Sequence, residues 1–170
     1  MITLKRPTKE LEAEAKAFKQ EFLDNGETVI NGSELLDQMD SYDEWLKSVT
    51  DNTSPDTVNP SWVVTDTYFA FDDNDRLVGV VDFRHELNDF LKDFGNSGYS
   101  VRPSERCKGY ATEILGLIKK RAGEIGLEKL QLGVERTNEP SIKTIKKNGG
   151  KYERSFIFEG EEADIYMIEI

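Results

Sequence analysis

The fold is decided by the stretch Val101-Arg102-Pro103-Ser104-Glu105-Arg106-Cys107-Lys108-Gly109-Tyr110-Ala111-Thr112, which joins a short predicted strand to a long predicted helix. The strand covers residues 98–102 and ends at Pro103. The helix covers residues 109–125, where apolar residues recur at helical spacing until Gly126 stops them. Alternating apolar residues at 129–135 predict a second strand. A strand, a helix and a strand in this order predict a right-handed crossover unit with parallel strands.

The turn between this strand and this helix has the features of an anion site. At a helix N-terminus, free backbone N–H groups and the positive end of the helix dipole point to one place. Gly109 lacks the Cβ that would keep phosphate oxygens from the main chain, and Ala111 keeps the next turn slim. Arg106 and Lys108 add positive charge. The sequence therefore predicts that this turn binds phosphate.

Helices and strands are also predicted on both sides of the central unit. The additional helices are residues 8–23, 35–49 with Ser33 as N-cap, 86–94, and 138–148 with Asn138 as N-cap. The additional strands are residues 2–4, 62–71 and 77–83, and two more after Gly150. This order predicts an α/β fold with a mixed central sheet flanked by about four helices, in a single domain covering residues 1–170.

The charge of the chain restricts its partners. The net charge is −11, which argues against a nucleic-acid partner because such binding depends on neutralising phosphates. Residues 101–151 hold 12 Lys and Arg against 6 Asp and Glu, a balance of +6, so the remainder carries −17. Chance or a need for solubility is one interpretation of this split. It also suits a protein that binds a polyanionic cofactor at one end and a cationic substrate at the other.

The compartment is predicted from what the sequence lacks. No apolar stretch is long enough to span a bilayer, so we expect no membrane partner. A lone cysteine cannot form an internal disulfide, which suits a reducing cytosol and predicts a cytoplasmic location. One His and one Cys cannot make a zinc site, so no metal is expected.

Two motifs carry a resemblance to a known family. Arg106, Gly109 and Ala111 fit the pattern Gln or Arg, two residues, Gly, one residue, then Gly or Ala. This segment resembles the acetyl-CoA-binding motif of the GNAT superfamily of N-acetyltransferases. Asn138 resembles the second signature of the family, an Asn that opens the helix after the next strand. The resemblance implies a GNAT-like sheet with two splayed parallel strands, acetyl-CoA as co-substrate, and acetyl transfer to a primary amine.

The resemblance also implies cofactor-binding residues. The main chain at Val101 would pair with the pantetheine arm and the thioester carbonyl, and Asn138 would face that arm. Backbone amides of the turn and the first helical residues would hold the pyrophosphate. These residues are Arg106, Cys107, Lys108, Gly109, Tyr110, Ala111 and Thr112.

The catalytic half of the family pattern is missing. Ile145 stands where many members carry a tyrosine that protonates the leaving thiolate, and residues 95–98 contain no carboxylate to act as base. Three candidates remain: His85 as a base, Glu135 as a base acting directly or through water, and Tyr99 as a proton donor to the thiolate. Each also has a plainer interpretation. A lone histidine is more often structural, a strand-end carboxylate is usually solvated, and a tyrosine beside a sheet is usually core.

Two interpretations of the function stay open. The first is acetyl transfer by direct attack in a ternary complex, since no cysteine–histidine nucleophile pair is evident. Its acceptor would be a small-molecule or peptide amine of net positive charge, to which the acidic residues between Glu34 and Glu44 point. The second is a module that binds or senses CoA without catalysis. A homodimer is also left open.

Overall fold

The computed structural model describes residues 1–170, which form seven strands and four α-helices. The strands are β1 Thr3–Lys5, β2 Thr65–Phe71, β3 Leu77–Arg84, β4 Tyr99–Val101, β5 Lys129–Glu135, β6 Lys151–Phe158 and β7 Glu161–Glu169. The helices are α1 Glu12–Asp24, α2 Tyr42–Asp51, α3 Tyr110–Glu124 and α4 Glu139–Lys147. The strands form two sheets, in the orders β1-β2-β3-β4 and β5-β7-β6. The predicted α/β fold with four helices is confirmed.

The parallel pairing expected of β4 and β5 is not confirmed. Every strand pair within the two sheets is antiparallel, and β4 and β5 belong to different sheets. The sheets meet at one bridge between Gly95 and Leu132, beside which the Asn96 N–H donates to the Gln131 carbonyl at 2.7 Å. Gly95 has a φ of +92°, and a Cβ there would lie 2.6 Å from the Gln131 oxygen. Only glycine permits this contact, which joins the sheets before β4 begins.

Two apolar cores lie on opposite faces of the first sheet. Val80 of β3 packs with α1 and α2, whereas Val81 and Phe83 pack with α3. Because successive side chains of a strand point to opposite faces, these helices cover different sides of the sheet. Ile145 of α4 joins the core of α3. The sheet is therefore enclosed by α1 and α2 on one side and by α3 and α4 on the other.

Two predicted helices differ from those observed. The helix predicted over residues 35–49 begins only at Tyr42, where the Ser41 Oγ accepts from the Glu44 N–H at 3.2 Å. Glu34 and Leu35 have φ angles of 49° and 72°, which belong to a left-handed turn rather than to a helix. Residues 86–94 form turns. There the Asn88 Oδ1 accepts from the Leu91 N–H at 2.9 Å, but the chain makes only one turn, because Gly95 has a positive φ of 92° and leads into the bridge to Leu132.

The central unit agrees closely with the sequence analysis. The observed strand β5 matches the predicted residues 129–135, and the observed helix α3 matches 109–125 to within a residue at each end. None of the helices has the length and hydrophobicity that crossing a bilayer requires. A cytoplasmic location stays a prediction.

Candidate functional site

The turn before α3 presents a row of unpaired backbone amides. The N–H groups from Cys107 to Thr112 donate to no acceptor within the protein. Cys107 and Gly109 have φ angles of 65° and 83°, so the chain turns sharply twice just before the helix. A Cβ on Gly109 would meet no atom within 4 Å, which means that the space in front of the turn is open. A turn with this geometry can accept an anion, and phosphate binding there stays a prediction.

The two basic side chains of this turn are already paired. The Arg106 guanidinium donates to both carboxylate oxygens of Glu27, at 2.8 and 2.9 Å, and its Nε donates to the Val101 carbonyl at 3.0 Å. The Lys108 ammonium donates to Glu105 at 2.7 Å. The expectation that both add free positive charge is therefore revised, because each charge is balanced by a neighbouring carboxylate. Arg106 instead ties the turn to β4.

One edge of β4 carries unpaired main-chain groups. The Arg102 N–H donates to Val78 and the Asp82 N–H donates to Gly98, so the even-numbered positions of this segment face β3. The peptide groups of Tyr99 and Val101 must then point to the opposite edge. No acceptor pairs with their N–H groups, and no hydrogen bond joins β4 to β5. A ligand bound at the turn could therefore form further hydrogen bonds with the free N–H groups on this edge of β4.

The N-terminus of α4 lies next to β4. The Asn138 Oδ1 accepts from the Ser141 N–H at 3.3 Å, which confirms its predicted role as a helix cap. Tyr99 reaches across to this helix, and its hydroxyl shares a hydrogen bond of 2.8 Å with the Ser141 Oγ. Burial raises the pKa of Tyr99 to about 12. Tyr99 of β4 and Asn138 thus both hydrogen-bond to Ser141 at the start of α4.

His85 lies away from the turn. Its Nε2 is 2.7 Å from the Asp66 Oδ2, and Arg121 of α3 is 3.9 Å from the same oxygen. Burial tends to raise the pKa of Asp66, but hydrogen bonds from His85 and Arg6 outweigh it and hold the pKa below its usual range. Arg121 is near the C-terminal end of α3, whose 15 residues span about 22 Å. His85 is therefore at the far end of the helix that the turn begins.

Glu135 is exposed at the end of β5 and does not contact Tyr99 or His85. It borders a small cavity of about 110 Å³ between β5, the β6–β7 pair and the segment before the bridge. The cavity is lined by Asp93, Phe94, Gly133, Val134, Glu135, Phe156, Phe158 and Ala163. The three catalytic candidates thus occupy three separate places, and no catalytic group is assembled from them.

A buried polar cluster on the α1–α2 side of the sheet was missed. Asp82 of β3 accepts from the Gly98 N–H at 2.6 Å and from Arg84 at 3.3 Å. Glu34 lies 3.9 Å from the same guanidinium, and burial together with Asp82 raises the pKa of Glu34 to about 9. In the sequence, Glu34 stands out only as one of the acidic residues between positions 34 and 44, with no sign that it is buried. The inward position depends on the left-handed turn at residues 34 and 35, for which the sequence offers no glycine as a signal.

Comparisons with known proteins agree with this geometry. The family model described as acetyltransferase (GNAT) domain matches residues 2–151. Among curated proteins, no sequence matches. Three solved structures illustrate the similarity in fold. The Microcin C7 self immunity acetyltransferase MccE, solved with acetyl-CoA and AMP, is 18% identical with a TM-score of 0.72, covering 99% of this chain and 92% of its own.

Two further solved structures share the fold. A GNAT-family acetyltransferase from Streptococcus pneumoniae is 19% identical with a TM-score of 0.70, and the match covers 100% of both chains. A spermidine N-acetyltransferase SpeG chimera from Vibrio cholerae and hSSAT is 16% identical with a TM-score of 0.66, covering 99% of this chain and 94% of its own. At these identities the structures show a shared fold.

Proposed function

Because the chain belongs to the GNAT acetyltransferase family, we propose that it transfers the acetyl group of acetyl-CoA to a primary amine of a cationic acceptor. The observation that carries this proposal is the row of unpaired amides from Cys107 to Thr112, which continues into the unpaired edge of β4. A polyanion with an extended amide-containing arm fits both parts. Acetyl-CoA is such a molecule.

The residues of the turn would hold the pyrophosphate. The amides from Cys107 to Thr112 and the positive end of α3 supply hydrogen bonds and favourable potential without a free cation. The pantetheine arm would pair with the main chain of Tyr99 and with the Val101 N–H as an added strand does, since the Val101 carbonyl already accepts from Arg106. Asn138 would act through the N-terminus of α4, since its side chain is engaged as the cap.

Direct attack in a ternary complex is the mechanism that the side chains support. Cys107 is exposed and unbonded, and the only histidine is engaged with Asp66, so no histidine activates this thiol. The nitrogen of the neutral amine would attack the thioester carbon, a C–N bond would form, and the C–S bond would break. Catalysis would come from holding the two reactants together and from backbone N–H groups that polarise the carbonyl. The leaving thiolate would take its proton from water.

A cationic acceptor is supported by charge and by aromatic side chains. The protein outside residues 101–151 carries a balance of −17, which concentrates cations near its surface. A series of aromatic rings begins next to this cluster, where Arg84 stacks on the first of them. Its rings are Trp62, Phe90, Phe94 and Phe158, with successive centroids 6.3, 5.6 and 5.1 Å apart. Aromatic faces bind ammonium groups and alkyl chains.

The test is a panel of primary amines assayed for the release of free CoA from acetyl-CoA. The panel contains spermidine, cadaverine, 2-phenylethylamine, lysine and glutamate. We expect release with the polyamine or diamine to exceed release with glutamate by at least tenfold. If acetyl-CoA binds but no amine releases CoA, the protein is a CoA-binding module instead. If glutamate is the best acceptor, the cationic preference is wrong.

A further inference from the structure

We infer that Glu34 and Asp82 form the pocket for the acceptor's ammonium group, and that the Glu34 carboxylate takes the proton that the amine must lose before attack. This inference rests on the proposed function and deepens it. It assigns a base to a chain in which the expected position for one, among residues 95–98, carries no carboxylate. Its two carboxyl groups come from the turn that precedes α2 and from β3.

The segment that carries Glu34 lies directly on β4. The Ser100 Oγ donates to the Asn31 carbonyl at 2.8 Å, and Gly32 packs so closely on Gly98 that no side chain could fit between them. Asp82 accepts from the Gly98 N–H at 2.6 Å. Both carboxyl groups are thus fixed at the start of β4, on the side of the sheet that α1 and α2 cover.

This position matches the reacting end of the co-substrate. The phosphate turn follows the C-terminal end of β4, so an arm that leaves the turn along the unpaired edge runs backwards, from Val101 towards Tyr99 and Gly98. The far end of the arm carries the thioester, and it would lie near Gly98, whose N–H donates to Asp82. An amine seated against Glu34 and Asp82 would then be close to the thioester, as a near-attack arrangement requires.

The polar groups of this cluster are incompletely satisfied. The Glu34 side chain is only 10% exposed, and its Oε1 has no hydrogen-bond partner. The Arg84 Nε and the Trp62 Nε1 are also buried without a partner. Buried polar atoms are nearly always paired, so when Glu34 is ionised this oxygen can accept from a donor that the ligand brings. An ammonium group offers three such donors.

The net charge around Glu34 favours the binding of one more cation. From β3, Asp82 and Arg84 face it, and from α2 the uncharged Trp45 donates to its main-chain carbonyl at 3.1 Å. Two carboxylates beside one guanidinium carry a net charge of −1 when both are ionised. Burial and the charge of Asp82 disfavour that state, so the pair retains a proton at neutral pH. An incoming ammonium ion replaces this proton without changing the total charge.

The shared proton also makes Glu34 a suitable base. An alkylammonium ion has a pKa near 10.4, and an ordinary glutamate near 4.3, so transfer between them is unfavourable by about six pKa units. In the ligand-free protein, burial and Asp82 raise the pKa of Glu34 to about 9, which narrows this gap to roughly one and a half pKa units before the ammonium binds. In the ternary complex the ammonium gives one proton to the Glu34 carboxylate. The neutral amine then forms the C–N bond, the C–S bond breaks, and the amine's second proton ends on the CoA sulfur.

The experiment compares Glu34→Gln with Asp40→Asn, a change at an exposed carboxylate of the same segment. Acetyl-CoA affinity is measured by calorimetry, and kcat/KM for the best amine of the panel is measured from pH 6.5 to 10. We expect both variants to bind acetyl-CoA as wild type does. Glu34→Gln should lose about 10²- to 10⁴-fold in kcat/KM at pH 7.5, the usual loss for a proton-transfer group, and Asp40→Asn less than threefold.

Two further readouts separate a base from a merely structural residue. The wild-type kcat/KM should rise with pH and level off near pH 9, whereas in Glu34→Gln it should keep rising to the pKa of the free amine. With 2,2,2-trifluoroethylamine, whose ammonium form is far more acidic, Glu34→Gln should come within about threefold of wild type because little base is needed. An equal loss with both amines, or an unchanged pH profile, would overturn the inference.

A final readout needs no acceptor. In protein labelled with ¹³C at glutamate carboxyl groups, one NMR signal should titrate near pH 9 and disappear in Glu34→Gln. If every glutamate titrates in the ordinary range, the shared proton is absent and the inference fails. If this signal is present while no amine of the panel releases CoA, the proposed function is wrong, but the shared proton between Glu34 and Asp82 is confirmed.

Discussion

The Arg106 guanidinium donates hydrogen bonds to both carboxylate oxygens of Glu27, at 2.8 and 2.9 Å, and so connects the phosphate turn to the segment that follows α1. The same side chain holds the Val101 carbonyl at 3.0 Å and lies over the ring of Phe22. These contacts use the whole guanidinium group. Arg106 therefore positions the turn and the end of β4, and the backbone amides are left to bind the anion.

The first prediction concerns this positioning. Arg106→Ala should raise the Kd for acetyl-CoA about tenfold, a loss of roughly 1.4 kcal/mol, because the amides lose their fixed direction. Arg154→Ala is the matched control, since its guanidinium is 43% exposed in a pair with Asp93, against 41% for Arg106 with Glu27. The control should leave Kd within twofold. Calorimetry would contradict the account if both variants bound acetyl-CoA equally well.

The second prediction compares the two ends of α3. Gly109 and Gly126 have φ angles of 83° and 89°, and a Cβ on either would meet no atom within 4 Å. Gly109→Ala and Gly126→Ala should therefore cost similar stability, about 1–2 kcal/mol each for a left-handed alanine. Only Gly109→Ala should lose acetyl-CoA affinity, by tenfold or more, because its methyl group occupies the phosphate space. Thermal unfolding with and without acetyl-CoA measures both effects. If acetyl-CoA raised the unfolding temperature of the two variants equally, this prediction would be wrong.

The third prediction concerns Tyr99. Its pKa of about 12 lies well above that of a thiol, near 8.5, so its phenol is a poor proton donor to the leaving thiolate. Tyr99→Phe should lower kcat by less than tenfold, since water can protonate the sulfur. The expected loss reflects the missing bond to Ser141 at the start of α4. A loss of a hundredfold, together with a changed pH dependence of kcat, would instead make Tyr99 the general acid.

The fourth prediction concerns His85, which we expect to stabilise the fold without taking part in catalysis. His85→Gln should leave kcat within twofold and lower the free energy of unfolding at pH 7 by about 1–3 kcal/mol, because the buried Asp66 loses a partner. The pKa of Asp66 is lower in the folded protein than in the unfolded chain, where it is near 3.9. This contribution is thus present above pH 4 and is lost as pH falls through the folded pKa.

Denaturant unfolding at pH 7 and at pH 3 checks this prediction. The difference in unfolding free energy between wild type and His85→Gln should shrink at the lower pH. If His85→Gln instead abolished turnover while its stability was unchanged, the assignment of His85 as a structural residue would be wrong.

The sequence predicted the central unit well because its signals are local. Helical spacing from Ala111 to Ile125, Gly109 before the helix and alternation in β5 each act within a few residues, and the structure agrees with all three. The start of α2 was missed because the apolar spacing from Leu35 onwards imitates a helix. There the left-handed turn at Glu34 and Leu35 is imposed by packing against β4, which is distant in sequence.

The same distinction applies to the site. The phosphate turn is one continuous segment, so it could be predicted from residues 106–112 alone. The cluster of Glu34, Asp82 and Arg84 joins two segments nearly fifty residues apart, and neither carries a motif. The pairing of Arg106 with Glu27 is of the same kind, and for that reason a charge that looked free in the sequence is balanced in the structure.

The central claim is that an amine attacks acetyl-CoA directly while both are bound, and two-substrate kinetics tests it most directly. Initial rates are measured while acetyl-CoA and the best amine of the panel are both varied, and the product is identified by mass. We expect double-reciprocal lines that intersect, an amine that has gained one acetyl group, and no acetyl group on the protein. Parallel lines, with acetyl found on Cys107, would contradict the account.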